Sequence, residues 1–290
     1  PYNPDVNGKT QDGVGFYQLT QRAARRSSAS IAYLNPIRDR KNLTVETGRQ
    51  VLRVVVENGR AVGVEVASKG GVKELLRAER EVIVSSGAMG SPRLLQLSGI
   101  GPADHLKSVG VPVVHDLPGV GANLQDHLDL FVIAECTGDH TYDKYAKPWW
   151  SAWAGLQYFL FKKGPVASSL FETGGFWYAD ETARHPDIQL HLGLGSGIEA
   201  GVAKMSNPGV TLNSAFLRPR SRGTVRLPSA DPFAMPLIDP NYWADPYDVE
   251  MSIRGLKLAR EIMAQRGLKD FVAREVLPGP GYATDQDLFE

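Results

Sequence analysis

The chain has 290 residues, 42% of them hydrophobic and 22% charged, enough to bury a sizeable core in one large domain or two of ordinary size. Lysine plus arginine and aspartate plus glutamate both number 32, so no net field draws nucleic acid, and no basic run or aromatic ladder suggests a groove for it. No apolar stretch approaches the roughly eighteen residues that cross a bilayer, no charged-then-apolar leader opens the sequence, and a single cysteine, Cys136, rules out an internal disulfide framework and reads as a small buried side chain in a reducing compartment.

Residues 1–41 mix aromatic with polar residues and carry a basic cluster, Arg22, Arg25 and Arg26, that reads as a solvated edge. From Asn42 to Val84 the pattern is strand after strand, over 42–48, 50–59, 60–68, 72–78 and 81–86, with Asn58-Gly59 as a two-residue hairpin turn. On pattern alone Val51 is a core strand residue. The run Glu81-Val82-Ile83-Val84 predicts a strand buried on both faces of a parallel sheet, closed by the small residues Ser85, Ser86, Gly87 and Ala88. A helix then opens with Ser91 as N-cap and Pro92 in its first turn, and Gly99 and Gly101 stop it. A strand, a small-residue turn and an opening helix place backbone N–H groups and a helix dipole where open α/β folds bind anionic or planar cofactors.

Further on, 102–110 predicts a short helix, 111–115 a strand, and 116–129 a tight loop built on Pro118, Gly119, Gly121 and Asn123. His127 alone reads as a hydrogen-bonded structural histidine. Residues 148–161 predict an amphipathic helix whose bulky residues, Trp149, Trp150 and Trp153 among them, face a core. A second β-rich body follows, with strands over 172–180, 187–195, 210–219, 223–229 and 235–240. In 187–195 Ile188, Leu190, Leu192 and Leu194 alternate with Gln189, His191 and Gly193, so one face is packed and the other is open enough to wall a substrate pocket. Pro246 to Gln265 reads as an amphipathic helix capped by Asp245 and continued helically over 268–274. No CxxC pair, HExxH, GxSxG elbow or phosphate loop is present, so no metal site or nucleophile is expected.

Gly87-Ala88-x-x-Ser91-Pro92-x-Leu94-Leu95-x-x-Ser98-Gly99-Ile100-Gly101 resembles, at every defined position, a signature of the glucose-methanol-choline (GMC) family of flavin oxidoreductases. The stretches Leu117-Pro118-Gly119-Val120-Gly121-x-Asn123-Leu124-Gln125-Asp126-His127 and Arg218-Pro219-x-Ser221-Arg222-Gly223-x-Val225 are similar to two more of its recurrent segments, as are Arg26-Ser27-Ser28 and Tyr33-Leu34. The resemblance implies a mixed α+β and α/β fold: part of a flavin domain, plus a substrate domain with an antiparallel sheet and helices. The segments would be 1–41, a substrate-domain piece leading into the flavin domain; 42–126, a partial FAD-binding domain; 127–274, the substrate-binding domain; and 275–290, a truncated return toward the flavin domain.

The resemblance further implies FAD as cofactor, with Val51 covering the adenine through its backbone and Ser86, Gly87, Ser91, Asn123 and Leu124 near the flavin. His127 and Asp129 would border the substrate pocket. Members that oxidise choline carry a glutamate two residues after the matching histidine, so Asp129, one methylene shorter, could face a cation, or could pair with Arg218 or Arg222. The activity implied for the whole protein is oxidation of a primary alcohol, choline-like or other, with oxygen or a quinone-type acceptor taking the electrons. The catalytic histidine lies in a His-Pro-x-Gly stretch that these residues lack, as they lack the G-x-G-x-x-G fingerprint, so the isolated chain is expected to be inactive. A GMC-type hydroxynitrile lyase and a non-enzymatic remnant are the alternatives, and the location implied is cytoplasmic, with peripheral membrane association of the parent left open.

Overall fold

A computed structural model describes residues 1–196, 205 and 207–289. In chain order the elements are β1 (Gly13–Phe16), β2 (Gln21–Arg22), β3 (Arg25–Arg26), β4 (Arg49–Glu57), β5 (Arg60–Ser68), β6 (Lys73–Arg77), α1 (Gly87–Leu97), β7 (Ile100–Gly101), α2 (Ala103–Ser108) and β8 (His115–Asp116). They continue with β9 (Asp129–Cys136), α3 (Pro148–Phe161), β10 (Phe171–Trp177), β11 (Ile188–Gly193), β12 (Gly209–Phe216), β13 (Thr224–Arg226), β14 (Leu237–Asp239), α4 (Pro246–Met263), β15 (Val272–Leu277) and α5 (Asp285–Phe289). The fold is mixed α+β, and the chain divides into two compact units, one of residues 1–39, 127–220 and 245–290, the other of residues 40–126 and 221–244.

The smaller unit is built on the antiparallel meander β4-β5-β6. Asn58 (φ 51°) and Gly59 (φ 76°) make the turn between β4 and β5 in the primed conformation that matches strand twist. Leu52, Val54, Val66 and Ala67 are its buried apolar residues, and α1 packs on β4. Leu106, Val111 and Leu227 close a second small core.

Four expectations fail in this unit. Pairing starts only at Arg49, so 42–48 is not a strand; and of 111–115 only His115 pairs, in the two-residue parallel bridge of β8 to β7. Glu81–Val84 is unpaired, and Ile83 is 76% exposed. An apolar run becomes a strand only where a neighbour accepts its ladder, and none of the described strands does so here. The helix begins five residues early, at Gly87 with Ser86 as its cap position, so Ser91 and Pro92 lie inside it. The Ser91 hydroxyl reaches back to accept from the Ser86 N–H at 3.0 Å, satisfying from within the helix a donor that its first turn leaves open.

The placement of 221–244 is a fifth correction. Sequence grouped these residues with 127–274, whereas β13 and β14 join the smaller unit through paired bonds between Leu124 and Gly223 (3.0 and 2.8 Å) and through Val225.

The larger unit is a six-stranded antiparallel sheet in the order β1-β10-β11-β12-β9-β15. Helix α4 crosses one face, laying Met251, Leu256, Ala259 and Met263 on Val132, Ala134, Ile188, Leu190, Leu212 and Phe216, with Cys136 buried among them. Asp245 caps α4 by accepting from the Tyr247 N–H at 2.9 Å. Gly255 lets the helix approach the sheet: a Cβ there would stand 2.4 Å from Ser214 Oγ.

Three expectations fail here as well. Residues 268–274 do not continue the helix; after a turn Val272 enters β15, an edge strand that pairs with β9 through bulges. Residues 275–290, expected to return toward the other unit, stay in this one, where Arg260 holds Glu275 at 2.7 Å and donates to the carbonyl of Tyr282 at 2.7 Å. Helix α3 also inverts its predicted orientation. Ala154 is buried while Trp149, Trp153 and Phe159 are 67%, 54% and 75% exposed.

Candidate functional site

The predicted site residues fall into both units. Val51, Ser86, Gly87, Ser91, Asn123 and Leu124 belong to the smaller one, and His127 and Asp129 to the larger.

In the smaller unit one hydrogen-bond frame positions the candidate cofactor residues. Ser98 Oγ accepts from the Val54 N–H at 2.8 Å and donates to the Leu94 carbonyl at 2.6 Å, locking the end of α1 onto β4. Gln96, wholly buried, donates through Nε2 to the Val225 carbonyl at 2.9 Å, and the Val225 N–H donates to the Gly121 carbonyl at 2.8 Å. A side chain on Gly121, at φ 72°, would meet the Val225 oxygen at 2.1 Å and Gln96 Nε2 at 2.6 Å, so only glycine lets this loop close on α1. The structure thus carries the strand of Val51, the helix start at Ser86–Ser91 and the loop of Asn123 and Leu124 on one scaffold. Gln96 and Ser98 set that scaffold, a role that sequence reasoning misses; their only signal there is polarity on a helix of leucines.

Val51 lies on β4, an edge strand of its sheet, and its carbonyl accepts from the Gln50 amide at 3.1 Å. Gly87 starts α1 at φ 80° with no atom within 4 Å of where a Cβ would project, and Ser86 is exposed beside it. A planar ring can be met by edge peptide groups, and a helix start flanked by small residues can be approached closely by an anionic or polar ring system. Asn123, at φ 57°, is exposed at the loop, and Leu124 is fixed by Gly223.

In the larger unit the sheet face opposite α4 is polar. Register places Asp129 across from Ala215, and Asn213 between His191 and Phe131, all alternating with the residues that face α4. Asp129 Oδ2 accepts from Asn213 Nδ2 at 2.7 Å. Tyr17 and His191 meet edge to face at 5.4 Å, Phe171 lies 6.2 Å from His191, and the Tyr17 hydroxyl donates to the Leu190 carbonyl at 2.6 Å. Burial lowers the His191 pKa, with the Asp129 charge opposing it, so the ring is held toward its neutral form; burial raises the Tyr17 pKa, and Asp129 adds a smaller push the same way. Asp129 therefore heads a row of hydrogen-bonding and aromatic groups whose other members, Asn213, His191 and Tyr17, only the register reveals. His127 precedes β9 and is exposed. By contrast, the pocket of about 280 Å³ lined by Leu190, Leu192, Leu212, Ile262 and Leu268 offers almost no polar chemistry.

Comparison with known proteins gives the class, an oxidoreductase family. Residues 1–129 and again 219–289 match the description GMC oxidoreductase. The chain is 40% identical over 288 residues to "Choline dehydrogenase, mitochondrial" of Homo sapiens, covering 99% of this chain and 48% of that protein. It is 38% identical over 290 residues to "Alcohol dehydrogenase [acceptor]" of Pseudomonas putida, covering 99% and 52%. Among solved structures it superposes on a formate oxidase of Aspergillus oryzae, studied for its FAD modification, with a TM-score of 0.90 at 25% identity, covering 100% of this chain and 55% of that one. The chain belongs to the GMC oxidoreductase family. It spans about half the length of the curated relatives it matches.

Proposed function

We propose that the protein containing these residues is an FAD-dependent oxidoreductase that converts a primary alcohol, choline-like or other, to the aldehyde. The observation that carries this reading is the hydrogen-bonded Asp129–Asn213 pair in a chain similar along nearly its whole length to choline and alcohol dehydrogenases. When bound, FAD supplies the acceptor for a hydride from the alcohol carbon. The edge of β4 near Val51 would hold the adenine end through peptide groups, and Ser86, Gly87, Ser91, Asn123 and Leu124 would border the rest.

On the substrate side, Asn213 orients the Asp129 carboxylate, and the aromatic groups Tyr17, Phe131 and Phe171 on the same face would exclude water from an alcohol lying against it. His191, kept toward neutrality, can accept or donate a single hydrogen bond there. None of these residues is assigned the base that removes the hydroxyl proton, because no stretch of the 290 residues matches the family's His-Pro-x-Gly segment. Electrons would leave to oxygen or a quinone-type acceptor. The test is anaerobic addition of primary alcohols, choline included, to the full-length protein: bleaching of the flavin absorbance with aldehyde formation supports the reading, and cyanohydrin cleavage without bleaching overturns it.

A further inference from the structure

Two aromatic edges hold the ring of His191 on the sheet face opposite α4. Tyr17 meets it at 5.4 Å between ring centroids with the planes 70° apart, and Phe171 meets it at 6.2 Å and 66°. Tyr17 follows β1 and Phe171 opens β10, so the two reach the imidazole from different segments, and a turn of its plane would drive it into one or the other. Register sets Gly174 on β10 and Asn213 on β12 directly across from His191, and all of these residues belong to one unit.

Tyr17 is itself held at two points. Its N–H donates to the Glu172 carbonyl at 2.9 Å, continuing the pairing of β1 with β10, and its hydroxyl donates to the Leu190 carbonyl at 2.6 Å, with Gln189 Nε2 at 3.5 Å from the same hydroxyl oxygen. Gly174 makes this possible: a Cβ there would overlap the Leu190 carbonyl oxygen, the Tyr17 hydroxyl and Tyr17 Cε2. A side chain tied through both its backbone and its hydroxyl, and laid over a glycine, has one position. Since its single hydroxyl proton is committed to a backbone carbonyl, Tyr17 orients a neighbour rather than donating to a ligand.

We infer that Tyr17, laid over Gly174, is a positioning residue that fixes the plane and limits the hydration of His191, so that an alcohol against this face meets the imidazole in one orientation. The inference rests on the reading of this face as the substrate wall. A neutral imidazole has one donor and one acceptor nitrogen, so the plane of its ring decides which of them an alcohol meets. The titratable groups that act on the ring are Tyr17 and Asp129; β10 brings Phe171 and Gly174, β12 brings Asn213 and β11 itself brings Gln189, all uncharged. Burial holds His191 below the ordinary imidazole value and the Asp129 charge opposes that shift, so taking away the cover of Tyr17 should admit water and bring the value back up.

The experiment uses the full-length protein with isotope-labelled histidines. The His191 resonance, assigned with His191→Gln, is titrated by NMR, and the pH profile of kcat/KM is measured for choline and for a neutral primary alcohol. Tyr17→Phe keeps the ring and releases the hydroxyl tie, Tyr17→Ala removes both, and the phenylalanine variant still reads the tie if the alanine variant does not fold. The expected result is a His191 pKa that rises from the unmodified protein through Tyr17→Phe to Tyr17→Ala, toward about 6.5, with the acid limb of kcat/KM moving up beside it. At neutral pH Tyr17→Ala should lower kcat by about tenfold to a hundredfold with a smaller change in KM, as for a group that is present but misplaced. That loss should not add to the loss from His191→Gln in the double variant, whereas losses through folding alone would add. A His191 titration unchanged in the Tyr17 variants overturns the inference, and so do additive losses. A titration that moves while His191→Gln leaves turnover unchanged supports the hold of Tyr17 on the ring and overturns instead the reading of this face as the substrate wall.

Discussion

The carboxylate of Asp129 and the amide of Asn213 meet at 2.7 Å across neighbouring strands β9 and β12, on the sheet face that α4 leaves open. An acceptor held by a fixed donor keeps its orientation when a ligand arrives, which is what substrate positioning requires. In the full-length enzyme, Asp129→Asn is expected to raise KM for cationic alcohols about tenfold, on the order of 1 kcal/mol of lost attraction, and to leave neutral alcohols unchanged. Steady-state kinetics on choline and a neutral primary alcohol of similar size decides it; an equal effect on both removes charge recognition from the role of Asp129. Asn213→Ala should cost about 1–3 kcal/mol of stability, read as a lower urea midpoint, because it withdraws a donor from a partly buried carboxylate.

Gly121 closes the loop of Asn123 and Leu124 on α1. The variant Gly121→Ala places a methyl group 2.1 Å from a backbone oxygen at φ 72°, so the loop must move and the left-handed residue is strained as well. A loss of about 2–4 kcal/mol is expected, visible as a fall in Tm, together with weaker retention of flavin by the full-length protein on gel filtration.

On α4, two effects compete at Gly255. Alanine would gain about 1 kcal/mol of helix propensity, yet its Cβ would lie 2.4 Å from Ser214 Oγ and 3.0 Å from Ile188 Cδ1, an overpacking that costs about 1–3 kcal/mol. Gly255→Ala should therefore be destabilising by itself. Adding Ser214→Ala removes the nearest atom and should recover much of the loss, a coupling that a double-mutant cycle in urea measures directly.

Asp180 gives a pH dependence. Its pKa is lowered to about 2, first by the Thr182 side chain and then by the Thr182 N–H and the Tyr247 hydroxyl. A carboxylate with a depressed folded-state pKa adds stability that is present above its unfolded value, about 3.9, and is lost as pH falls through about 2. Urea midpoints should thus fall between about pH 4 and pH 2, and Asp180→Asn should flatten that fall while lowering the midpoint at pH 6. A slope unchanged by the substitution would assign acid sensitivity to other carboxylates.

The tight turn between β2 and β3 holds Ala23 at φ 52° and Ala24 at φ 56°, both in the left-handed region that alanine disfavours. Replacing the pair with Asn-Gly should raise stability by about 1 kcal/mol, since relief of strain outweighs the freedom glycine adds to the unfolded chain. Thermal unfolding would show the gain.

Features that depend on neighbours along the chain are legible in the sequence itself. Asn58-Gly59 makes its turn, Asp245 caps α4, and the alternation in 187–195 separates a packed from an open face, because turn chemistry, capping and pleat are decided within a few residues. The signature through Ser91 and Gly101 points to the family for the same reason, being one contiguous stretch. What tertiary structure alone decided is partnership. Glu81–Val84 has the composition of a buried strand but lies unpaired; residues 221–244 pair with Leu124 and Gly121 although far from them along the chain; and α3 turns its tryptophans outward because Ser151 and Tyr158 find acceptors within. Asn213 and His191 join Asp129 only through the register of β9, β12 and β11. A side chain's polarity is written in its own identity, but the face it occupies is set by which distant backbone satisfies its strand or helix, and that is a property of the folded chain.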